Sequence, residues 1–510
     1  MSTILGASRE DAELGEPIGF VVDGSTPVKL RFVSRTPPPL GDYITIRVGD
    51  SLIVGIVDNV STRSITLSTA IEIYDPLVVS RIMENAGDDD VFFECSARLL
   101  GDPYNGFSLP RSPPLPGLKV YLAPDSLLRK IFSSPPPKGI RIGVLAARPS
   151  VPVYVDVNKL VTRHTAILAV TGAGKSNTVA VILDRLSELG ATSLVMDFHG
   201  EYVDTGFKGR VNVLEPLLNP SYLSIGELMV LLGIEPKYYN QERVLRRAFE
   251  KAHSEQDGTP FLERLLRAVT SLRGREDPKA VAAVANKIEA LAEKHRDILR
   301  DDVSDVVARI KLGEINVVDL SRVDEEAADA VASHYLRRIL YERKRFKTTG
   351  SGGMIAPVLI VIEEAHVLVP RDRTTLSKYW VARIAREGRK FGVGLILVSQ
   401  RPKNIDQDAL SQMNNKIILR IVEPSDQKYV QASSETLSDD LLSHLPSLNT
   451  GEALLLGPFI PVPARVKIDK FHSRLGGADP DIVGEWMRYR RERSEEDEII
   501  NHIAGMIEMV

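Results

Sequence analysis

A single cysteine, Cys95, in 510 residues excludes an intramolecular disulfide and fits a reducing compartment. No apolar run approaches membrane-spanning length, and the opening residues M-S-T-I-L-G-A-S-R-E-D lack the basic start and apolar core of a secretory signal. A cytoplasmic protein with no membrane contact is expected. Positive charge is not in excess either: 64 Lys+Arg against 68 Asp+Glu leave a formal net charge of -4. Global attraction to nucleic acid is thereby excluded, and any such contact must use a local basic surface. His199 and His366 follow strand-like runs, yet neither has a cysteine or second histidine at metal-ligand spacing, which argues against zinc. A G-x-S-x-G elbow and a nuclease-like carboxylate cluster are also missing.

What is there is an ordinary globular balance, 43% apolar and 26% charged residues, in a chain too long for one core. Residues 1–105 carry short strand-like runs such as V-K-L-R-F-V, Y-I-T-I-R-V and S-L-I-V-G-I-V, separated by turn signals, which predict a small barrel or sandwich. The acidic run Asp88–Asp90 reads as a solvated loop. Residues 106–150 are proline-rich and aperiodic, as a connector would be. Residues 222–300 have helical apolar spacing with abundant charge and read as a helical insertion, and 471–510 as a charged C-terminal helical arm. Between them, 151–221 and 301–470 alternate doubly apolar strands with helices. The fold class is α/β, with a mostly parallel sheet.

The decisive stretch is Ala169–Ser176, A-V-T-G-A-G-K-S, between an apolar strand and a segment of helical spacing. Glycines at 172 and 174 let consecutive N–H groups of Thr171, Gly172, Ala173, Gly174 and the residues after them turn toward phosphate oxygens. The positive end of the following helix points at the same place. Lys175 would reach the β/γ-phosphates of ATP, Ser176 would ligate Mg²⁺, and Asn177 opens the helix. Ala169 replaces the first glycine of the usual pattern, which is acceptable if its φ stays negative.

The strand V-L-I-V-I ends in Glu363, Glu364, Ala365 and His366. Carboxylates at such a strand end hold Mg²⁺ and polarise the attacking water; Glu363 is the metal partner and Glu364 the catalytic base. Asp197 ends an earlier strand, A-T-S-L-V-M-D, and is followed by H-G-E-Y. Gln400 closes V-G-L-I-L-V-S-Q, where an amide can sense the γ-phosphate. Arg389, in the basic segment before that strand, and Arg163, shortly before the loop strand, are candidates to reach a neighbouring subunit's site; the bland alternative is a solvated face.

Together, T-G-A-G-K-S-N-T, M-D-F-H-G-E-Y, L-I-V-I-E-E-A-H and L-V-S-Q-R-P, in this order behind a β-rich start, resemble the archaeal HerA helicases, within the HerA and FtsK group of DNA-pumping ATPases. The resemblance implies a RecA-like P-loop core with an N-terminal small β-barrel, a homo-hexameric ring that threads double-stranded DNA, and a NurA-type nuclease partner in end resection. It also implies that Asp197 and Glu201 stand near the metal or attacking water, and that Phe459 and Ile460 belong to a segment covering the nucleotide base. The loops Arg371–Lys378 and around Lys403 are candidate pore elements. A ring ATPase that remodels protein, or a nucleotide-gated scaffold, are the alternatives.

Overall fold

β1 (Glu16–Val21), β2 (Lys29–Ser34), β3 (Tyr43–Val48), β4 (Ser51–Ser64), β5 (Val91–Gly101) and β6 (Lys119–Leu122) close into a barrel in the order β1-β2-β5-β4-β3-β6. All neighbours are antiparallel. Closure leaves no free edge, and alternate residues such as Leu30, Phe32, Ile44 and Ile46 fill the interior. The computed structural model describes residues 14–69, 75–85, 90–235, 237–255, 257–476 and 481–491. Of the acidic run, Asp90 is described and accepts bonds from Thr66; Asp88 and Asp89 lie outside the described residues.

The strand that seals the barrel, β6, lies inside the stretch expected to be a connector. That stretch also carries a helix, Asp125–Phe132, and β7 (Gly139–Leu145) of the main sheet. Four residues, K-V-Y-L, are too few to show a period beside so many prolines. The junction is packed rather than loose. The rings of Tyr43 and Phe132 meet at 5.4 Å, and the Tyr43 hydroxyl donates to the Pro463 carbonyl at 2.8 Å. Arg148, just past β7, pairs with the buried Asp42 at 2.8 Å and with Asp125 at 3.0 Å, pinning the barrel to the main sheet.

The main sheet adds β8 (Pro152–Asp156), β9 (Thr165–Leu168), β10 (Thr192–Asp197), β11 (Val211–Leu214), β12 (Ile315–Asp319), β13 (Val358–Ile362), β14 (Val393–Ser399), β15 (Asn415–Ile418), β16 (Glu452–Leu456) and β17 (Ala464–Ile468). Its order is β11-β12-β10-β13-β14-β9-β15-β16-β17-β7-β8. The run from β11 to β15 is parallel. The remaining pairings are antiparallel, so the sheet is mixed.

Both faces are covered, which is why the strands are apolar throughout. Ala166, Leu168, Leu194, Met196, Ile360 and Leu397 belong to one hydrophobic cluster with helix Glu325–Thr349, which continues into helices Tyr239–Ser254, Phe261–Thr270 and Pro278–Lys294. Ile167, Val195, Val361 and Val398 face helix Lys175–Ser187, helix Asp125–Phe132 and the barrel wall at Tyr43, Val54 and Ile56. The three helices from Tyr239 to Lys294, in the segment expected to be an insertion, pack chiefly on one another. Residues 482–491 are helical, and the rest of the expected C-terminal arm, 492–510, lies outside the described residues. Among the described residues no helix is long and apolar enough to cross a membrane.

Candidate active site

Parallel pairing brings the carboxyl ends of β9, β10, β13, β14 and β15 to one edge, the side on which open α/β sheets bind ligands. β9 enters the phosphate loop there. Ala169 is fully buried and sheet-like: its N–H donates to the Ser399 carbonyl at 3.2 Å, and Val170 donates to the Arg420 carbonyl at 3.0 Å. Alanine fits because the left-handed turns fall later, at Gly172 (φ 75°) and Gly174 (φ 106°). A Cβ on Gly174 would only touch the Gly451 backbone at 3.4 Å, so the positive φ is what calls for glycine. Helix Lys175–Ser187 starts at this turn and aims its first N–H groups into a cleft of about 380 Å³.

The Lys175 ammonium lies 2.8 Å from Glu364 Oε1 and 3.1 Å from Glu363 Oε2. Burial pulls the lysine pKa down, but the two carboxylates win and hold it above the ordinary value. Glu363 is fully buried, which raises its pKa against the pull of Lys175 and of Tyr202. The Tyr202 hydroxyl donates to Glu363 Oε1 at 2.5 Å. Glu364 behaves oppositely: burial would raise it, yet His366 and Lys175 bring it down to about 2, so it stays a carboxylate. Its backbone sits at φ 41°, a left-handed conformation that costs about 1–3 kcal/mol and turns the side chain into the cleft. Glu364 Oε2 and Glu201 Oε2 are each buried without a hydrogen-bond partner, and His366 Nδ1 stands 3.1 Å from the former.

Asp197, expected near the metal, meets backbone donors with both of its oxygens. Its Oδ1 accepts the N–H groups of His199 (3.1 Å) and Glu201 (3.2 Å), and its Oδ2 that of Tyr202 (2.9 Å). Both oxygens thus hold the H-G-E-Y turn that delivers Glu201 and Tyr202. Thr171 Oγ1 meets the Gln400 amide oxygen at 2.6 Å, joining the loop to the end of β14. The Asn177 side chain binds the Asp469 carbonyl (3.0 Å) and the Phe471 N–H (2.9 Å), so it ties the chain after β17 to the loop helix. Ser176 lines the cleft.

Phe459 and Ile460 lie on the wrong edge for a base cover. β16 runs antiparallel to β15, with Leu456 opposite Lys416, so its far end returns to the amino edge of the sheet. There the Phe459 N–H donates to Asn415 Oδ1 at 3.0 Å and both side chains are buried. The residues that do meet the loop are Gly451, whose N–H donates to the Ala173 carbonyl at 2.9 Å, and Asp469–Phe471. Arg163 and Arg389 precede β9 and β14 and therefore also stand at the amino edge, across the sheet from Lys175. Of the residues missed, Tyr202 sat within the quoted M-D-F-H-G-E-Y motif; Gly451 and Asp469 carried no local signal.

Comparison with known proteins agrees with this geometry. Residues 140–339 match the family described as Helicase HerA, central domain, and 312–468 match Helicase HerA-like C-terminal. The chain is 41% identical to the DNA double-strand break repair helicase HerA of Saccharolobus solfataricus, covering 92% of this chain and 96% of that one. It is 42% identical to the protein of the same name from Sulfolobus acidocaldarius, covering 95% and 98%. Among solved structures, VirB4 of Thermoanaerobacter pseudethanolicus superposes with a TM-score of 0.51 at 16% identity, over 67% of this chain and 98% of that one. The plasmid coupling protein TrwB in complex with ADP and Mg²⁺ gives 0.50 at 14%, over 68% and 93%. These two share the fold alone. A phosphate loop facing paired glutamates, on a sheet extended by a closed barrel, together with matches along nearly the whole chain, makes this chain a P-loop ATPase of the HerA helicase family.

Proposed function

We propose that the chain is an ATP-driven motor on double-stranded DNA, with Mg²⁺ as its metal, acting in double-strand break repair as a homo-hexamer beside a NurA-type nuclease. The observation that carries this is Lys175 held between Glu363 and Glu364 at the mouth of the loop, in a chain whose relatives are named as double-strand break repair helicases. The lysine takes the β/γ-phosphates and so releases both glutamates. Ser176 and Glu363 would hold Mg²⁺, which would supply positive charge to the phosphates; the unpartnered oxygen of Glu201 and the bond from Tyr202 that fixes Glu363 fit that use. Glu364, strained toward the cleft and still ionised, accepts a proton from the attacking water. Gln400 senses the γ-phosphate through its contact with Thr171.

The far-edge position of Arg389 and Arg163 suits service to a neighbouring subunit in a ring, where a head-to-tail contact sets one edge against the next site. The two candidate pore loops support coupling to DNA because they are joined: Pro370 bridges Ile405, and the Arg371 N–H donates to the Asn404 carbonyl at 2.8 Å. Lys403 there pairs with Glu423 at 2.6 Å, and Lys378 with Asp406 at 2.8 Å, so DNA must displace carboxylates to engage them. A motor on chromosomal DNA in this role is cytoplasmic.

The test is steady-state ATP hydrolysis alone, with linear duplex DNA and with unfolded protein, at two salt concentrations. Stimulation by duplex that fades with salt is expected. Stimulation by unfolded protein and not by DNA would overturn the assignment in favour of protein remodelling.

A further inference from the structure

Resting on the hydrolytic role of Glu364, we infer that His366 is the positioning residue that holds this carboxylate once Lys175 has turned to the phosphates, and that Ser399 is its resting partner. His366 Nδ1 lies 3.1 Å from Glu364 Oε2 and 3.2 Å from Ser399 Oγ. The alignment favours the serine, since Oε2 has no hydrogen-bond partner despite its burial. A small rotation of the imidazole moves the bond from one oxygen to the other.

The need for such a group arises from the rest of the site. In the arrangement observed, Glu364 Oε1 is fixed by Lys175 at 2.8 Å, with His199 Nε2 farther off at 3.6 Å and mostly exposed. Departure of the lysine removes the closest partner of the carboxylate at the moment when its direction toward water decides the rate. His366 is the remaining close, largely buried polar group. It reaches the glutamate from the helical turn Ala365–Leu368 that comes directly after it.

Ser399 gives this residue a second consequence. Its Oγ also accepts the Arg401 N–H at 3.0 Å, and it immediately precedes Gln400, whose side chain meets Thr171 of the phosphate loop. The end of β14 that senses phosphate is therefore one hydrogen bond from the ring that steers the base. Movement of Gln400 on nucleotide binding would loosen Ser399 and free His366 for Glu364, so the base is aimed when the site is filled.

The experiment measures kcat and KM for ATP with duplex DNA present, together with equilibrium nucleotide binding, for wild type, His366→Ala, His366→Asn and His366→Gln. His366→Ala is expected to lower kcat by about tenfold or more, within the ~100-fold that an ångström of misplacement costs, with nucleotide affinity changed less than about twofold. His366→Asn, whose amide nitrogen stands close to the place of Nδ1, should recover most of the rate, and His366→Gln, which mimics Nε2, should not. Equal rates for the Asn and Gln variants would overturn the proposal even if the alanine variant fails to fold, as would wild-type turnover by His366→Ala. Absence of ATP hydrolysis in the wild type would instead sink the assignment of the site itself.

Discussion

Lys175 and Glu364 are bound to each other at 2.8 Å, so the cation proposed to take phosphate and the carboxylate proposed as base occupy one ion pair. Nucleotide binding must break that pair, which makes the two residues separable by experiment. Lys175→Ala should abolish nucleotide binding. Glu364→Gln should keep it and cut turnover by about 10²–10⁴-fold, the range for loss of a general base. Equilibrium binding beside single-turnover hydrolysis distinguishes them, and a Glu364→Gln protein with normal turnover would remove this residue from the mechanism.

Tyr202 and Glu363 form a buried pair with a 2.5 Å bond. Tyr202→Phe leaves Glu363 Oε1 without its hydroxyl donor, at a cost of about 1–3 kcal/mol. Thermal unfolding of the nucleotide-free protein should show a lower midpoint; an unchanged midpoint would mean that water replaces the hydroxyl without loss.

Asp197 offers a choice between two roles. If it serves the H-G-E-Y turn, Asp197→Ala strands up to three backbone donors and costs stability, about 1–3 kcal/mol for each that stays buried and unmet. Asp197→Asn, which keeps acceptor capacity, should lose less and leave the Mg²⁺ dependence of hydrolysis unchanged. A large rise in the Mg²⁺ requirement of a stably folded Asp197→Asn protein would restore the metal role.

His164 introduces β9 at φ 53°, and its Nδ1 accepts the Leu395 N–H at 3.1 Å. Burial pushes its pKa down from 6.5 to about 4. The folded value lies below the unfolded one, so the stability it contributes is whole above pH 6.5 and is lost as pH falls toward 4, by about 3 kcal/mol at most. Asparagine tolerates the left-handed backbone and can accept the same N–H. His164→Asn should therefore flatten the pH dependence of unfolding in this window, and an unaltered slope would assign the effect to another group.

Arg389 stands across the sheet from Lys175 of its own chain. Arg389→Ala should spare nucleotide binding and impair hydrolysis. Mixtures with wild type should lose activity faster than the wild-type fraction falls, whereas a linear loss would mean independent sites.

The phosphate loop was legible because its signal is local: strand, glycines, lysine and helix follow one another within a few residues. The Glu363–Glu364 pair was legible for the same reason, as a strand end. Strand direction is not local. Nothing in G-E-A-L-L-L-G-P-F-I says that β16 runs against β15, and that reversal carries Phe459 and Ile460 to the opposite edge while bringing Asp469 back to Asn177. Likewise β6 is too short to display a period, and it became visible as a strand only through pairing with β1 and β3. The motif M-D-F-H-G-E-Y marks Asp197, but no sequence pattern reveals that its two oxygens meet backbone donors.

The pairing of β7 with β17 sets a delay during synthesis. Leu145 waits for Val466, about 320 residues later, which at roughly 5–20 residues per second is about 16–64 s on the ribosome. Through that interval the β7 edge of the β7–β8 hairpin, later covered by β17, is exposed, although the barrel beside it can already be closed by β6. The nascent chain therefore carries a closed barrel and an unfinished sheet edge for most of its translation, the period in which that edge is open to premature pairing with another chain.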